Sequence, residues 1–355
     1  MALLLGVLLQ AAPASADDLK NGQWYANFLR LAAAHKVSTG LGVTVALIDS
    51  GVDSTHPDLK GGILAGADFS AGGQVSIGDG RTDASGHGTQ MAGLIVGSGK
   101  VAGVAPASKI VPINSSFTSI GGTSSTVAEG IRWAVEHGVQ VISISSAGPD
   151  DPLLRQAIEV ALASDIVVIA GAGNVAQDAA VGYPAAYPGV IAACGVDRLG
   201  KHSSVSVTGA EVVLCAPSDG ISSTFPGGKY ALGSGTSEST AIIAGAVALV
   251  RAKFPELSGQ EVVHRLTATA DDKGVIGRDE VYGFGVINVV DALTENIPTN
   301  SPSAGPTVKA TATAPSGALI GGLKPWHVAL GGLLCLLVLV AVAGTAGVLV
   351  LRRRR

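Results

Sequence analysis

The chain has 355 residues and carries 23 lysines and arginines against 27 aspartates and glutamates, a formal net charge of −4. This balance argues against nucleic acid as a partner, because surfaces that bind nucleic acid need an excess of basic charge. The length leaves room for one large α/β domain with a sizeable core. The 49 glycines and the low aromatic content of 4% fit a layered fold packed from small side chains.

The N-terminus has the pattern of a secretory signal peptide. An apolar run at residues 2–9 precedes Ala14, Ser15 and Ala16, a small-x-small pattern typical of a cleavage site. The run departs from the usual signal because no lysine or arginine precedes it. The alternative, a buried N-terminal helix, is less well supported because the segment shows no amphipathic periodicity. We therefore predict a signal peptide at residues 1–16, followed by an N-terminal extension at residues 17–41.

Short apolar runs then alternate with helical stretches, which predicts a mostly parallel sheet wrapped by helices. The strand candidates are residues 43–48, 110–113, 139–144, 166–170 and 190–193. The helix candidates are residues 89–97, 126–137, 151–164 and 240–252. On the helix at 151–164, we expect Leu153, Ile158 and Leu162 to share one buried face.

Three short motifs place an aspartate, a histidine and a serine in glycine-rich settings suited to a tight active site. The motifs are DSG at residues 49–51, GHGT at residues 86–89 and GTS at residues 235–237. A serine hydroxyl becomes a good nucleophile when an imidazole takes its proton, and the imidazole needs a carboxylate to fix its tautomer. Ser237, His87 and Asp49 are the candidates for these catalytic roles, although each alone could be an ordinary turn or helix-cap residue.

The order of the three residues along the chain selects one class of serine hydrolase. Asp first, His second and Ser last is the subtilisin order, whereas the chymotrypsin type runs His, Asp, Ser and the α/β-hydrolase type runs Ser, Asp, His. At these motifs the chain resembles the subtilase family of serine peptidases, and the resemblance extends over residues 42–296. It implies a three-layer α/β fold of the subtilisin type, with helices on both faces of a mostly parallel sheet, and peptide hydrolysis through an acyl-enzyme.

The resemblance also implies roles for residues around the triad. Asn174, in the AGN motif at residues 172–174, corresponds to the family's side-chain donor to the oxyanion. An extended peptide substrate would pair through its backbone with the segment that follows the strand at residues 139–144. Its side chains would enter the space between this segment and the one that follows the strand at residues 166–170. The implied substrate-binding residues are Ser145, Ser146, Ala147, Ala172 and Gly173. The chain departs from the family pattern at Ser146 and Ala147, and again at Glu238, directly after the proposed nucleophile.

Cysteine usage and metal-ligand spacing are less informative. Cys194 and Cys215 both lie in strand-like apolar runs, where they could form a disulfide in an oxidising compartment or remain buried free thiols. No Cys/His spacing resembles a zinc site. The resemblance implies no catalytic cofactor; calcium binding is common in the family, but no Asp-rich loop identifies ligands here.

The C-terminal part predicts a tethered membrane protein. A Pro/Ser/Thr/Ala/Gly-rich linker at residues 297–327 precedes an uncharged apolar stretch at 328–351, and about 20 apolar residues suffice to cross a bilayer. Four arginines at 352–355 follow, and positive charge favours the cytoplasmic side. We therefore expect a single-pass type I protein of the cell membrane with its catalytic domain outside.

This layout is similar to that of the mycosins, membrane-anchored subtilases associated with type VII secretion in actinobacteria. The residues between the predicted signal and residue 42 are too few for the folding pro-domain that many secreted subtilases carry. The leading hypothesis is a membrane-anchored serine endopeptidase that cleaves polypeptides and contacts secretion-machinery components. The alternatives are a non-catalytic scaffold subunit of a secretion complex and a general scavenging protease, which the tether disfavours.

Overall fold

The computed structural model describes residues 15–118 and 121–298. The strands are β1 (Thr44–Asp49), β2 (Ala67–Asp68), β3 (Lys109–Asn114), β4 (Ser116–Thr118), β5 (Gly121–Gly122), β6 (Val141–Ile144), β7 (Val167–Gly171), β8 (Ile191–Val196), β9 (Val212–Pro217), β10 (Ile221–Phe225) and β11 (Lys229–Gly233). The helices are α1 (Ala16–Gly22), α2 (Trp24–Phe28), α3 (Leu31–Ala34), α4 (His87–Val96), α5 (Ser124–Glu136), α6 (Pro152–Ala163), α7 (Thr236–Lys253), α8 (Gly259–Ala268) and α9 (Val289–Thr294).

A parallel sheet forms the centre of the described part of the chain. Seven strands lie in the order β2-β3-β1-β6-β7-β8-β9, and every neighbouring pair is parallel. In β1, Val45 and Leu47 pack on one face of the sheet, while Ala46 and Ile48 pack on the other. The strand is apolar at every one of these positions because both faces are covered. The predicted strands and the three-layer α/β fold are thereby confirmed.

Helices cover the two faces. The first face packs against α4 and α7, and the second against α5 and α6. The predicted inward face of α6 is wrong in part, because the side chain of Leu153 is 51% exposed. The buried positions are Leu154, Ala157, Ile158 and Ala161. Leu153 precedes this series by one residue, about 100° around the helix, and so points away from the core.

The strand order reverses between β1 and β6. Strand β1 is joined on one side to β3 and on the other to β6, so the connections on its two sides run in opposite directions across the sheet. In open parallel sheets, the crevice beyond the carboxyl ends of the strands at such a reversal is the usual place for a ligand. Asp49 ends β1, and Ser145 follows the last residue of β6.

The N-terminal extension packs closely on the domain. The side chain of Tyr25 is fully buried, and its hydroxyl donates to the carbonyl of Ala102 at 2.8 Å. The indole Nε1 of Trp24 donates to the carbonyl of Asp219 at 2.9 Å. Both aromatic residues belong to the short helix α2.

Cys194 and Cys215 lie opposite each other on the adjacent strands β8 and β9 and are joined in a disulfide, with their Cα atoms 4.3 Å apart. Of the two possibilities that the sequence left open, the structure has the bridge.

In the part of the chain covered by the structure, no helix has the length and apolar character needed to span a bilayer. The predicted signal peptide, except Ser15 and Ala16, lies outside the described residues. So do the predicted membrane span and basic tail, and all but the first two residues of the predicted linker.

Candidate active site

The carboxylate of Asp49 and the imidazole of His87 are joined by hydrogen bonds. Asp49 is the last residue of β1 and His87 the first of α4, and His87 Nδ1 lies 2.8 Å from Oδ1 and 2.9 Å from Oδ2 of the carboxylate. The carboxylate is nearly inaccessible, whereas the side chain of His87 is 41% exposed. A carboxylate bound at Nδ1 fixes the proton there and leaves Nε2 as the basic nitrogen.

Asp83 holds the first turn of α4 in place. Its Oδ1 accepts from the backbone N–H of Gly86 at 2.8 Å, and its Oδ2 accepts from the N–H of Thr89 at 2.8 Å and from the Thr89 hydroxyl at 2.6 Å. The hydroxyl of Ser50, next to Asp49, also donates to Asp83 at 2.9 Å. One carboxylate thus ties the turn that carries His87 to the end of the strand that carries Asp49.

The backbone at Gly86 needs a glycine. This residue precedes α4 with a φ of 90°, in the left-handed region that L side chains rarely adopt. A Cβ there would also collide with the ring of Phe225. Both constraints explain the first glycine of the GHGT motif without a direct chemical role.

Ser237 is the second residue of α7. Its side chain is half-buried, and its carbonyl accepts a long hydrogen bond of 3.5 Å from the hydroxyl of Ser145. A helix N-terminus carries partial positive charge and backbone N–H groups, a setting that stabilises a developing oxyanion. The helix predicted at residues 240–252 is present as α7, but it begins at Thr236, one residue before Ser237.

Asn174 reaches the same helix start from the loop after β7. Its side-chain Oδ1 accepts from the backbone N–H of Thr236 at 3.0 Å, which fixes the plane of the amide next to Ser237. Its own backbone N–H donates to Oδ2 of Asp178 at 2.9 Å. The amide nitrogen Nδ2 is the group able to donate to an oxyanion. The contacts of Oδ1 and of the backbone N–H hold the residue that carries it in place.

The structure brings the four residues to one edge of the sheet through two clusters. Asp49 and His87 form one cluster, and Asn174 and Ser237 form the other through Thr236. No hydrogen bond joins His87 to Ser237 among the described residues. Such bonds are often long before substrate arrives and tighten in the Michaelis complex.

The proposed substrate-binding residues occupy two different environments. Ser145, Ser146 and Ala147 are half-buried, between the end of β6 and Gly148, whose backbone pairs with that of Tyr183. Ala172 and Gly173 are buried, and the N–H of Gly173 lies 3.4 Å from the hydroxyl oxygen of Thr236.

Carboxylates dominate the electrostatics around His87. Burial opposes the charged imidazole, but the charge and hydrogen bond of Asp49, followed by the charges of Glu238 and Asp83, outweigh it and raise the pKa of His87 to about 9. Because the ring is partly exposed, water screens some of this effect, but the surrounding carboxylates determine its upward direction. Burial is also the main cause that raises the pKa of Glu238 to about 7 and that raises the pKa of Asp83 above its ordinary value.

Three features of the site were missed by sequence reasoning. Asp83 holds the turn that carries His87, Thr236 binds Asn174, and Gln90 binds Glu238, the residue after Ser237. Asp83 had a recognisable signal, because an aspartate shortly before a helix is a common cap. Gln90 and Thr236 act through partners distant in sequence. Thr236 stands in the GTS motif, but nothing in that motif indicates its contact with Asn174. Across residues 15–118 and 121–298, no group of three or more His, Cys, Asp or Glu side chains is placed to hold a metal ion.

Comparison with known proteins decides the family. Residues 40–285 match the Subtilase family, Peptidase_S8. The chain belongs to the subtilase family. Subtilisin DY of Bacillus licheniformis is 39% identical over 257 residues, which cover 70% of this chain and 90% of the relative. The chain is accordingly a subtilisin-like serine endopeptidase that acts on polypeptides.

Solved structures extend the likeness to a narrower group, the mycosins. MycP1 from Mycobacterium smegmatis aligns with a TM-score of 0.72 and 26% identity, covering 88% of this chain and 92% of that one. MycP3, a protease from the type VII (ESX-3) secretion system, aligns with a TM-score of 0.69 and 30% identity, covering 77% of this chain and 88% of that one.

Proposed function

We propose that this subtilase cleaves peptide bonds with Ser237 as nucleophile, His87 as general base and acid, and Asp49 as the carboxylate that orients His87. The observation that carries the proposal is the pair of hydrogen bonds from His87 Nδ1 to the Asp49 carboxylate, at the edge of the sheet where Ser237 lies in the first turn of α7. Asn174, held by Thr236 beside that helix start, is the proposed side-chain donor to the oxyanion.

The mechanism follows from these positions. His87 Nε2 takes the hydroxyl proton as Ser237 Oγ bonds to the substrate carbonyl carbon, and the carbonyl electrons move to oxygen. The N–H of Ser237 and the Nδ2 of Asn174 stabilise this oxyanion. The C–N bond then breaks, the protonated His87 gives its proton to the leaving amine, and an acyl-enzyme remains. Water activated by His87 hydrolyses the ester and restores the serine.

The substrate would lie extended between the two segments that follow β6 and β7. The irregular segment that follows β6 consists of Ser145, Ser146 and Ala147. A peptide backbone could pair with this segment by hydrogen bonding. Ala172 and Gly173 would form the opposite wall. The small side chains on both sides favour recognition through the peptide backbone over deep side-chain pockets.

We further propose that the enzyme is anchored in the cell membrane by residues 328–351, with the catalytic domain outside, and that it serves a type VII-like secretion system. The support is the apolar C-terminal stretch with its four following arginines, together with the likeness to MycP1 and MycP3. A protease fixed to the membrane is suited to substrates that emerge from a nearby secretion apparatus.

Complementation tests the catalytic and secretory parts together. In a strain that lacks the gene, we expect the wild-type chain to restore secretion and cleavage of exported polypeptides, whereas Ser237→Ala at equal abundance restores no cleavage. The matched control is Ser164→Ala, a serine at the exposed end of α6, which should behave as wild type. Full restoration of secretion by Ser237→Ala would instead favour a scaffold role. For the proposed anchor, we expect deletion of residues 328–355 to abolish membrane association.

A further inference from the structure

A carboxyl group is buried directly beside the proposed nucleophile. Glu238 is the third residue of α7, and only 4% of its surface is exposed. Burying an ionisable group costs free energy unless a partner or a local field compensates. The first turn of a helix supplies such a field, because its partial positive charge favours an anion. The position therefore allows a charged Glu238, but at a cost that surface glutamates do not carry.

The side-chain partner of Glu238 belongs to the helix of the proposed base. Oε1 of Glu238 lies 3.4 Å from Nε2 of Gln90, which is itself only 4% exposed. Gln90 follows His87 by three residues on α4, one turn away, and Glu238 follows Ser237 by one residue on α7. This hydrogen bond thus connects the two turns that hold the base and the nucleophile.

The space for this pair depends on Gly233 at the end of β11. A Cβ at Gly233 would overlap both Oε1 of Glu238 and Nε2 of Gln90. The φ of this glycine is not in the left-handed region, so room for the two side chains, and not backbone strain, explains the glycine.

Several ionisable groups surround the pair. His87 from α4 faces Glu238 with opposite charge, while Asp49 from β1 and Asp219 from the turn before β10 face it with like charge. Asp83, in the loop before α4, also acts on His87. Among these groups, the charge of His87 favours ionised Glu238, and ionised Glu238 favours protonated His87.

We propose that Glu238 and Gln90 form a positioning pair that bridges α4 and α7 beside the base and the nucleophile, and that the bridge holds the Glu238 carboxylate where its charge acts on His87. The proposal rests on the proposed function, since it assigns the pair an effect on the same base and nucleophile. Glu238 would act through His87 and would not contact the substrate.

The charge of Glu238 makes the pH dependence of the enzyme shallower than that of an isolated histidine. His87 must be neutral to accept the proton of Ser237, so charge on Glu238 delays the active form. Below about pH 7 the carboxyl is itself protonated and this delay disappears. Above about pH 9 His87 is neutral with or without it. The influence of Glu238 is therefore confined to the interval between these two values.

The first test compares pH profiles of kcat/KM for the full-length wild type, Glu238→Gln and the control Glu159→Gln, an exposed glutamate on α6. Glutamine keeps the size and a hydrogen bond to Gln90 but removes the charge. We expect Glu238→Gln to exceed wild type by up to about tenfold between pH 7 and 9, equivalent to a shift of about one pH unit, and to approach it on either side. Superimposable profiles of all three proteins would overturn the proposal.

A second readout needs no turnover and separates this proposal from the proposed function. Diethyl pyrocarbonate modifies neutral imidazoles, so the pH dependence of His87 modification, measured by mass spectrometry, reports its pKa in a Ser237→Ala background. We expect Ser237→Ala/Glu238→Gln to be modified at a pH about one unit lower than Ser237→Ala, with exposed His137 unchanged as an internal reference. Equal pKa values in the two proteins would overturn the proposal even if the enzyme is active. An inactive wild type with a shifted His87 would overturn the proposed function alone.

Gln90→Met tests the bridge itself, because methionine fills the space but cannot donate. In Gln90→Met we expect a several-fold lower kcat with little change in KM. In Gln90→Asn we expect kcat to return toward the wild-type value if the shorter amide still reaches Glu238. Unchanged kcat in Gln90→Met would contradict a positioning role.

Discussion

The first turns of α4 and α7 carry the proposed base and the proposed nucleophile, but they use their backbone N–H groups in opposite ways. At the start of α4, Asp83 accepts from the N–H groups of Gly86 and Thr89, and the hydroxyl of Ser50 accepts from that of Gly88. The donors of this turn are thus satisfied by the protein. The turn is fixed, and so is the imidazole that it carries.

At the start of α7 the protein leaves a donor open. Asn174 accepts from the N–H of Thr236, but the N–H of Ser237 has no hydrogen-bond partner within the described residues. Helix N-terminal N–H groups normally need an acceptor. A saturated helix start is suited to hold a base in position, whereas an open one is suited to receive a negative charge that exists only during the reaction.

The largest effect should follow from removing the second donor on the α7 side. We predict that Asn174→Ala lowers kcat by about 10²–10³-fold with KM nearly unchanged, because its amide would act only on the oxyanion. Steady-state hydrolysis of a peptide substrate measures both constants. Asn174→Asp keeps an acceptor for the N–H of Thr236 but has no donor, so it should be equally impaired; activity close to wild type in either variant would remove Asn174 from the site.

An intermediate effect should follow on the α4 side. Asp83→Asn cannot accept from all the donors that now converge on the carboxylate, so we predict a loss of about 1–2 kcal/mol in the free energy of unfolding and a several-fold lower kcat. Denaturant unfolding monitors the first and peptide hydrolysis the second. Asp79→Asn is the control, because Asp79 is exposed and binds mainly Arg81. Equal stability of the two variants would contradict the capping role of Asp83.

The smallest effect concerns the pH dependence of stability. A folded-state pKa raised from 6.5 to about 9 means that the folded protein holds the His87 proton more tightly than the unfolded chain. The resulting stability is complete below pH 6.5 and is lost as the pH rises to about 9. We predict that the melting temperature falls across this interval and falls less in His87→Gln. A steeper fall in His87→Gln would reverse the sign of the proposed coupling.

The fold and the chemistry of the site were accessible to sequence reasoning for different reasons. Fully buried parallel strands leave uninterrupted apolar runs, so β1 and β7 could be placed to within a residue or two. Asp49, His87 and Ser237 stand in short motifs that combine a reactive side chain with glycines. The inward face of α6 was misjudged at Leu153, because a leucine at the helix start satisfies the apolar pattern without facing the core.

The connections around the site were not accessible in the same way. Gln90 and Glu238 are 148 positions apart, and their contact depends on how α4 packs against α7. The same holds for Thr236 with Asn174, which are 62 positions apart. The sequence around Glu238 indicated a departure from the family pattern, but only the fold reveals that Gln90 is the partner of its carboxyl group.

The central claim, that Ser237 is a nucleophile activated by His87, is tested most directly by labelling the full-length protein with a fluorophosphonate probe and locating the adduct by mass spectrometry. Attack by the serine oxygen forms a phosphorus–oxygen bond and releases fluoride, so only an activated serine reacts quickly. We predict one adduct, on Ser237, that is absent in Ser237→Ala and strongly reduced in His87→Ala. A folded wild-type protein that remains unlabelled, or one labelled at Ser237 equally well without His87, would contradict the account.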